Sequence, residues 1–187
     1  MPGAPQDRLA AAGGDGRRSL ALVVMGVSGS GKTTVGSRLA GEFGWEFLDA
    51  DAFHPPANLA KMAAGEPLTD ADRDPWLAAL AAALAERLAD GRGAVLACSA
   101  LRRSYRDRLR AAGPALAFLY LRTDPALARG RVAARGGHFF PARLVDSQFA
   151  ALEEPDPATE PDVVVVDADA PLACFTRAWA AERLGVA

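Results

Sequence analysis

Short apolar runs alternate with longer amphipathic or charged segments along nearly the whole chain. Five of these runs predict buried β-strands, at 20–25, 45–50, 94–100, 115–122 and 162–168. The segments between them carry helix start and stop residues and predict helices at 32–43, 55–65, 69–91, 102–113, 124–137 and 171–185. Such alternation indicates an α/β fold, in which a five-stranded parallel sheet is covered by helices on both faces.

The composition narrows the classes of protein that need to be considered. The 187 residues suit one domain, with half of the residues hydrophobic and 24% charged. The net charge of −2, without a basic block, argues against nucleic acid as an obligate partner. No apolar run approaches the roughly 20 residues that cross a bilayer. We therefore expect neither a nucleic-acid nor a membrane partner.

The chain divides into a tail and one folded unit. Residues 1–19 mix Gly, Pro, Ala and charged residues without a period, and they lack the continuous apolar segment of a signal peptide. They predict a disordered tail, followed by a single domain over 20–187. Cys98 and Cys174 lie far apart and match no metal or redox spacing, which favours free thiols in the cytoplasm.

The stretch "GVSGSGKT", at 26–33, matches the phosphate-loop pattern G-x-x-x-x-G-K-[ST] between a predicted strand and a predicted helix. Its backbone N–H groups and the helix N-terminus would bind the phosphates of ATP. Lys32 would reach the β- and γ-phosphates, and the Thr33 hydroxyl would bind Mg²⁺. The predicted nucleotide-binding residues of this loop are Gly26, Val27, Ser28, Gly29, Ser30, Gly31, Lys32, Thr33 and Thr34.

Two other classes of phosphate-loop protein fit this sequence poorly. Guanine-specific switches use an N-K-x-D element, but the chain's one asparagine, Asn58, is followed by Leu59. Mechanical ATPases are normally larger and end a later apolar strand with a separate acidic residue, whereas "AVLACSA" ends in Cys-Ser-Ala. The sequence therefore favours a kinase that acts on a small molecule.

Two carboxylates, Asp49 and Asp51, follow the second predicted strand in "FLDADAF". The carboxyl edge of an open α/β sheet is where such folds bind ligands. One carboxylate can orient hydrated Mg²⁺, while the other accepts the proton of an attacking hydroxyl. The alternative is that both acids cap the next helix.

A polar face follows the acid pair and predicts a hydroxylated or carboxylated acceptor. His54, Asn58 and Lys61 are spaced so that they share one face of a short helix. Arg73 and Arg106 add positive charge near predicted strand ends, and an arginine can bind both oxygens of a carboxylate.

The segment "RGRVAARGGHFFP", at 129–141, predicts a mobile lid over about 135–142. Arg131 and Arg135 lie one helical turn apart, and two glycines follow. Such a lid would bring arginines onto the transferring phosphoryl group and exclude water. A basic helix face with an ordinary loop is the alternative.

These motifs together resemble the small gluconokinases with a phosphate loop. The matching stretches are "MGVSGSGKTT", "FLDADAFHPPANLAKMAAGEPLTDADRDPWL", "CSALRRSYRDRLR", "FLYL", "GHFFPARLVDSQFAALEEP" and "VVVDADAPL". The resemblance runs from about residue 20 to the last helix. One departure is that Arg102 and Arg103 stand where members of the family often carry lysines.

The resemblance implies a P-loop NTPase three-layer fold, like that of nucleoside-monophosphate kinases, and often a homodimer. It implies transfer of the ATP γ-phosphate to the 6-hydroxyl of D-gluconate, with Mg²⁺ as cofactor. Asp51 would act on the acceptor hydroxyl and Asp49 on the water shell of Mg²⁺. Arg131 would lie near adenine, Arg135 near the phosphates, and His138 at the substrate.

Two alternative functions stay open at this point. One is a kinase for another small hydroxy acid, such as shikimate, on the same scaffold. The other is a nucleotide-dependent regulator without turnover, against which Asp49, Asp51 and the lid arginines argue.

Overall fold

A single all-parallel sheet organises the protein in the computed structural model, which describes residues 20–134 and 142–184. Its five strands are β1 (Ala21–Met25), β2 (Glu46–Asp49), β3 (Ala94–Ala97), β4 (Leu116–Arg122) and β5 (Val163–Asp167). They lie in the order β2-β3-β1-β4-β5, and every neighbouring pair is parallel. The predicted five-stranded parallel sheet is confirmed.

Seven helices connect or follow these strands in the described part of the chain. They are α1 (Lys32–Phe43), α2 (Pro56–Ala63), α3 (Asp70–Ala89), α4 (Arg103–Arg110), α5 (Pro125–Ala134), α6 (Ala142–Ala151) and α7 (Arg177–Leu184). Local sequence explains their limits: Thr69 and Asp72 form a capping box at the start of α3, and Gly44 ends α1 in the left-handed conformation. No described helix is long and apolar enough to cross a membrane.

Both faces of the sheet are covered by apolar side chains. On one face α3 and α4 contribute Trp76, Leu80 and Leu109 to a cluster with strand residues. On the other face α1 and α7 contribute residues such as Leu39 and Ala180. This three-layer packing explains why the inner strands β1, β3 and β4 are continuous apolar runs, since both of their faces are buried.

A third, smaller cluster lies at the carboxyl edge of the sheet. It joins Val27, Leu101, Ala128 and Val145, which come from the loop after β1, the segment before α4, and helices α5 and α6. Helices α5 and α6 therefore pack against the phosphate loop itself.

The structure corrects several predicted boundaries. Strand β3 ends at Ala97 rather than at residue 100, and the predicted closing helix is broken into a short 3₁₀-helix, Leu172–Cys174, and α7. The break comes before Thr176, whose hydroxyl caps α7 by accepting a hydrogen bond from the N–H of Trp179 at 3.2 Å. The predicted tail, 1–19, and residues 135–141 of the predicted lid lie outside the described residues.

Candidate active site

The phosphate loop connects the buried end of β1 with the first turn of α1. Gly29 has φ +84°, and a side chain there would collide with the carbonyl oxygen of Ala128 in α5. Only glycine combines this backbone conformation with such a close approach. The tight contact between the loop and α5 thus requires a glycine at position 29, one of the variable positions of the motif.

The loop fits a phosphate group. Helix α1 has no acidic residue in its first turn, so its positive end faces the loop without a compensating charge. The hydroxyl of Ser30 is buried and has no hydrogen-bond partner among the described residues. Lys32 donates from Nζ to the carbonyl oxygen of Val27 at 2.9 Å, and Thr33 and Thr34 are exposed on the first turn. A buried hydroxyl without a partner and a cation, both at a helix N-terminus, suit the binding of a phosphate.

The acid pair lies on β2 and the turn that follows it. Asp49 is the last residue of the strand, whereas Asp51 belongs to a short 3₁₀-helix, Ala50–Phe53, so strand alternation does not set their directions. Oδ1 of Asp49 accepts a hydrogen bond from the N–H of Asp51 at 3.0 Å. The indole Nε1 of Trp76 donates to the carbonyl oxygen of Ala50 at 2.8 Å. The peptide group before Asp51 is therefore held from both sides.

Capping and catalysis are compatible at this acid pair. Asp49 does cap the 3₁₀-helix with one oxygen, as the alternative interpretation expected, and the side chain of Asp51 remains exposed. An exposed carboxylate on a turn with a fixed backbone is suited to accept a proton from a bound hydroxyl.

The sheet brings the loop and the acid pair together. Strand β3 lies between β1 and β2, so their carboxyl ends are two strand spacings, or roughly 10 Å, apart. At the end of β3, burial raises the pKa of Cys98 to about 12, and the charges of Lys32, Asp51 and Asp49 also act on its thiol. Three predicted functional residues thus surround the end of one strand.

His54, the first residue of the predicted acceptor face, does not lie on one helix with Asn58 and Lys61 as predicted, because it ends the 3₁₀-helix before α2 begins. Its ring stacks on Trp76, with ring centres 4.5 Å apart and planes 10° apart. The Asn58 amide nitrogen donates to the carbonyl oxygen of Asp72 at 2.8 Å and lies 3.4 Å from Nδ1 of His54. Because the amide nitrogen is a donor, Nδ1 is assigned as the acceptor and Nε2 carries the proton. Burial lowers the pKa of His54, which favours this neutral ring at pH 7.

The other polar residues of the acceptor face have partners within the protein. Lys61 forms a half-exposed ion pair with Asp72 at 2.7 Å, and Asn58 is buried. Arg73 donates to the carbonyl oxygen of Leu68 and lies with its guanidinium 5.8 Å from the centre of the Tyr105 ring. The charges of Arg73 and Asp51 both act on His54, so these three residues are close together.

Arg106 is enclosed by protein partners. Its side chain is buried and forms an ion pair with the buried Glu160 at 2.6 Å. Its Nη1 also donates to the carbonyl oxygens of Ala100 and Leu101. All three nitrogens of the guanidinium have protein partners, so the geometry points to a structural role for Arg106 and not to the predicted contact with substrate.

The predicted lid is only partly described. Arg131, on α5, donates to the carbonyl oxygen of Ala168 at 2.9 Å, which places it beside the turn after β5. Arg135 and His138 lie outside the described residues.

The structure adds two residues that the sequence-based predictions give no role. Trp76 positions both His54 and the turn that carries Asp51. Gln148, within the stretch "SQF", contacts the phosphate loop from α6. Both lie in stretches that carry the family resemblance, which is the one feature of the sequence that could have drawn attention to them.

Relatives of this chain include gluconokinases. A family model described as an AAA domain matches residues 22–155. The chain is 54% identical over 134 residues to the gluconokinase of Gluconobacter oxydans (strain 621H), covering 72% of this chain and 75% of the relative. It is 48% identical over 150 residues to the thermoresistant gluconokinase of Escherichia coli (strain K12), covering 80% and 85%.

Solved structures of two kinases have the same fold as this chain. A gluconokinase from Sinorhizobium meliloti 1021 superposes with a TM-score of 0.73 at 48% identity, covering 86% of this chain and 89% of that one. A shikimate kinase from Acinetobacter baumannii superposes with a TM-score of 0.53 at 20% identity, covering 83% and 87%. At that identity the second similarity shows a shared fold alone.

Proposed function

This chain belongs to the gluconokinase family, and from that premise we propose that it transfers the γ-phosphate of ATP to the 6-hydroxyl of D-gluconate, giving 6-phospho-D-gluconate and ADP. The observation that carries the proposal is the pairing of a phosphate loop with an exposed carboxylate across one strand of the sheet. This spacing leaves room for the transferring phosphoryl group between the two.

On the nucleotide side, the chain supplies positive charge and backbone donors. The N–H groups of the first turn of α1 bind phosphate oxygens, together with those of the loop other than Gly26, Ser28 and Ser30, which already have protein acceptors. Nζ of Lys32, beside the carbonyl of Val27, reaches the terminal phosphates of ATP. These groups stabilise the negative charge that develops during transfer. Arg131 and Arg135 are proposed to complete the site at the adenine and phosphate ends.

On the acceptor side, the oxygen of the 6-hydroxyl attacks the γ-phosphorus and ADP leaves. Asp51 accepts the proton of that hydroxyl. His54 donates from Nε2, and Arg73 contributes positive charge toward the carboxylate of gluconate. Asn58 and Lys61 position the acceptor face through their bonds to Asp72. His138 is proposed as a further contact with gluconate.

The residues present also fit Mg²⁺. Thr33 and Asp49 offer the hydroxyl and carboxylate oxygens that this ion prefers, and no described group of three or more His, Cys, Asp or Glu side chains forms a separate metal cage. Thr33 and Asp49 would hold the hydrated ion, which neutralises phosphate charge when bound.

The family resemblance also supports a homodimer in the cytoplasm and a lid at about 135–142. Sedimentation of the purified protein tests the first of these proposals. Closure of the lid would protect the phosphoryl group from water, so that it reaches the sugar acid.

The experiment is a panel of acceptors assayed by ADP release. D-Gluconate, other aldonic acids and shikimate are compared at equal concentration with Mg²⁺ and ATP. We expect the highest kcat/KM with D-gluconate and no turnover with Lys32→Ala, while the exposed α1 variant Arg38→Ala keeps wild-type activity. Preference for shikimate, or ADP release that does not depend on an acceptor, would refute the proposal.

A further inference from the structure

The peptide group between Val27 and Ser28, in the phosphate loop, is held from two opposite sides. Its carbonyl oxygen accepts a hydrogen bond from Nζ of Lys32 at 2.9 Å. Its N–H donates to Oε1 of Gln148 at 2.6 Å. The N–H of Ser30 also donates to the carbonyl oxygen of Val27, at 3.2 Å. Because a peptide group is planar and rigid, these bonds fix its orientation. Each bond also polarises the group and strengthens the others.

Gln148 reaches the loop from a helix that is itself anchored there. Its helix, α6, also carries Val145, which is fully buried against Val27. Gln148 lies close to one helical turn from Val145, so both side chains fall on the face of α6 that meets the loop. The hydrogen bond is therefore supported by apolar packing and does not depend on a loose surface side chain.

The direction of the hydrogen bond assigns the side-chain amide. Ser28 N–H is a donor, so the partner atom is the amide oxygen, and Nε2 keeps its two donors. Among the described residues Nε2 has no hydrogen-bond partner, and Gln148 is only partly buried. A neutral amide in this place can hold the loop without placing a negative charge beside the phosphates.

From this geometry we propose that Gln148 is a positioning residue for phosphoryl transfer. It orients the Val27–Ser28 peptide, and through the carbonyl of Val27 it sets the position from which the Lys32 ammonium reaches the nucleotide. The proposal rests on the proposed kinase function, because it concerns the efficiency of that reaction. A misplacement of about 1 Å at a reacting group can cost about 100-fold in rate.

The test compares three substitutions with a matched control. Gln148→Met keeps the length of the side chain without the acceptor, Gln148→Ala removes it, and Gln148→Glu restores an acceptor oxygen at the same reach. The control is Asp146→Asn, on the same helix, which removes only an exposed ion pair with Arg129. For each variant, kcat, the KM values for ATP and gluconate, ADP affinity, Tm and the Ser28 amide resonance are measured.

We expect Gln148→Met and Gln148→Ala to lower kcat by about 10- to 100-fold, with gluconate KM, ADP affinity and Tm near their wild-type values. Gln148→Glu should recover much of kcat while raising the KM for ATP, because its charge repels phosphate. The Ser28 resonance should move in the Met and Ala variants and return toward its wild-type position in Glu. Asp146→Asn should match the wild type.

Two outcomes would overturn the proposal. Wild-type kcat in Gln148→Ala would mean that the contact has no part in transfer. A joint loss of kcat, ADP affinity and Tm, without recovery in Gln148→Glu, would mean that Gln148 only braces the fold. The Ser28 resonance is read without substrate, so it tests the contact even if gluconate proves to be the wrong acceptor.

Discussion

At the scale of single residues, the site separates side chains that face ligands from side chains that position them. Asp51 is exposed on its turn, while Asp49 and Trp76 hold the peptide group before it. The orientation of the His54 ring likewise depends on its stacking against Trp76 and on its contact with Asn58. Substitutions of neighbouring residues should therefore have different kinetic effects.

The acid pair gives the first prediction. Asp51→Asn should lower kcat by about 10²- to 10⁴-fold, because the acceptor hydroxyl loses its base, with a modest change in ATP affinity. Asp49→Asn should instead raise the Mg²⁺ concentration needed for half-maximal rate. Steady-state kinetics at several Mg²⁺ concentrations measure both effects. Reversed effects would exchange the two roles.

His54 gives a prediction about pH. Burial lowers its pKa below the ordinary value of 6.5, so the folded protein favours the neutral ring. The stabilisation that the neutral ring gives to the folded site is complete above pH 6.5, and it is lost as the pH falls through the lowered pKa. Protonation of Nδ1 removes the acceptor for Asn58, worth about 1 kcal/mol, and disturbs the orientation of the ring, so kcat/KM for gluconate should fall about fivefold.

The measurement is the pH profile of kcat/KM for gluconate between pH 5 and 8, on the wild type and on His54→Gln. Glutamine does not titrate, so this part of the profile should become flat in the variant. An unchanged acid limb in His54→Gln would assign the titration to another group.

At the scale of elements, helix α4 is joined to the segment before β5 by buried charge. Arg106 and Arg110 both pair with Glu160, and Arg110 also pairs with Asp162. The hydrogen bond from Arg106 is the main reason that the pKa of Glu160 is lowered to about 2. Arg106 also holds the carbonyl of Ala100, a residue with φ +44° between β3 and α4. The ion pairs thus fix the turn at the site's edge.

Loss of this pairing should be costly. Glu160→Gln leaves a buried guanidinium without its counter-charge and should lower the free energy of unfolding by about 3–5 kcal/mol. The control Asp74→Asn, in an exposed pair with Arg108, should cost at most about 1 kcal/mol. Urea unfolding of both variants tests this difference, and equal costs would contradict the buried pair's importance.

The same pair predicts an acid-sensitive stability. Because the pKa of Glu160 is depressed on folding, its contribution is present above the ordinary glutamate value of 4.5 and is lost as the pH falls toward about 2. Glu160→Gln should remove this part of the pH dependence of unfolding.

At the scale of the whole molecule, nucleotide binding should stabilise the fold as a unit, since the loop packs against α5 and α6 and follows the central strand β1. ADP at 100 times its Kd should add about 2.7 kcal/mol. In a protein of this size that raises Tm by roughly 5–11 °C. Thermal unfolding with and without ADP measures this shift, and Lys32→Ala should lose most of it. An equal shift in Lys32→Ala would exclude phosphate contact by this lysine.

The sequence by itself determined the elements and the chemistry carried by continuous stretches. Five apolar runs predicted the five strands, because the inner strands β1, β3 and β4 are buried on both faces and have almost no polar positions. The phosphate loop could be recognised because its glycines and Lys32 act within eight consecutive residues. Asp49 and Asp51 could be placed at the ligand-binding edge because they follow a strand directly.

Only the tertiary structure decided which distant residues meet. Arg106 resembled its neighbouring arginines in sequence, and its burial depends on Glu160, 54 positions away. Gln148 contacts Ser28 across 120 positions, and Trp76 contacts the turn at Ala50 across 26. Local patterns report the preferences of the backbone and the burial of a face. They do not identify the hydrogen-bond partner of a polar side chain, because the packing of whole helices and strands determines which residues come together.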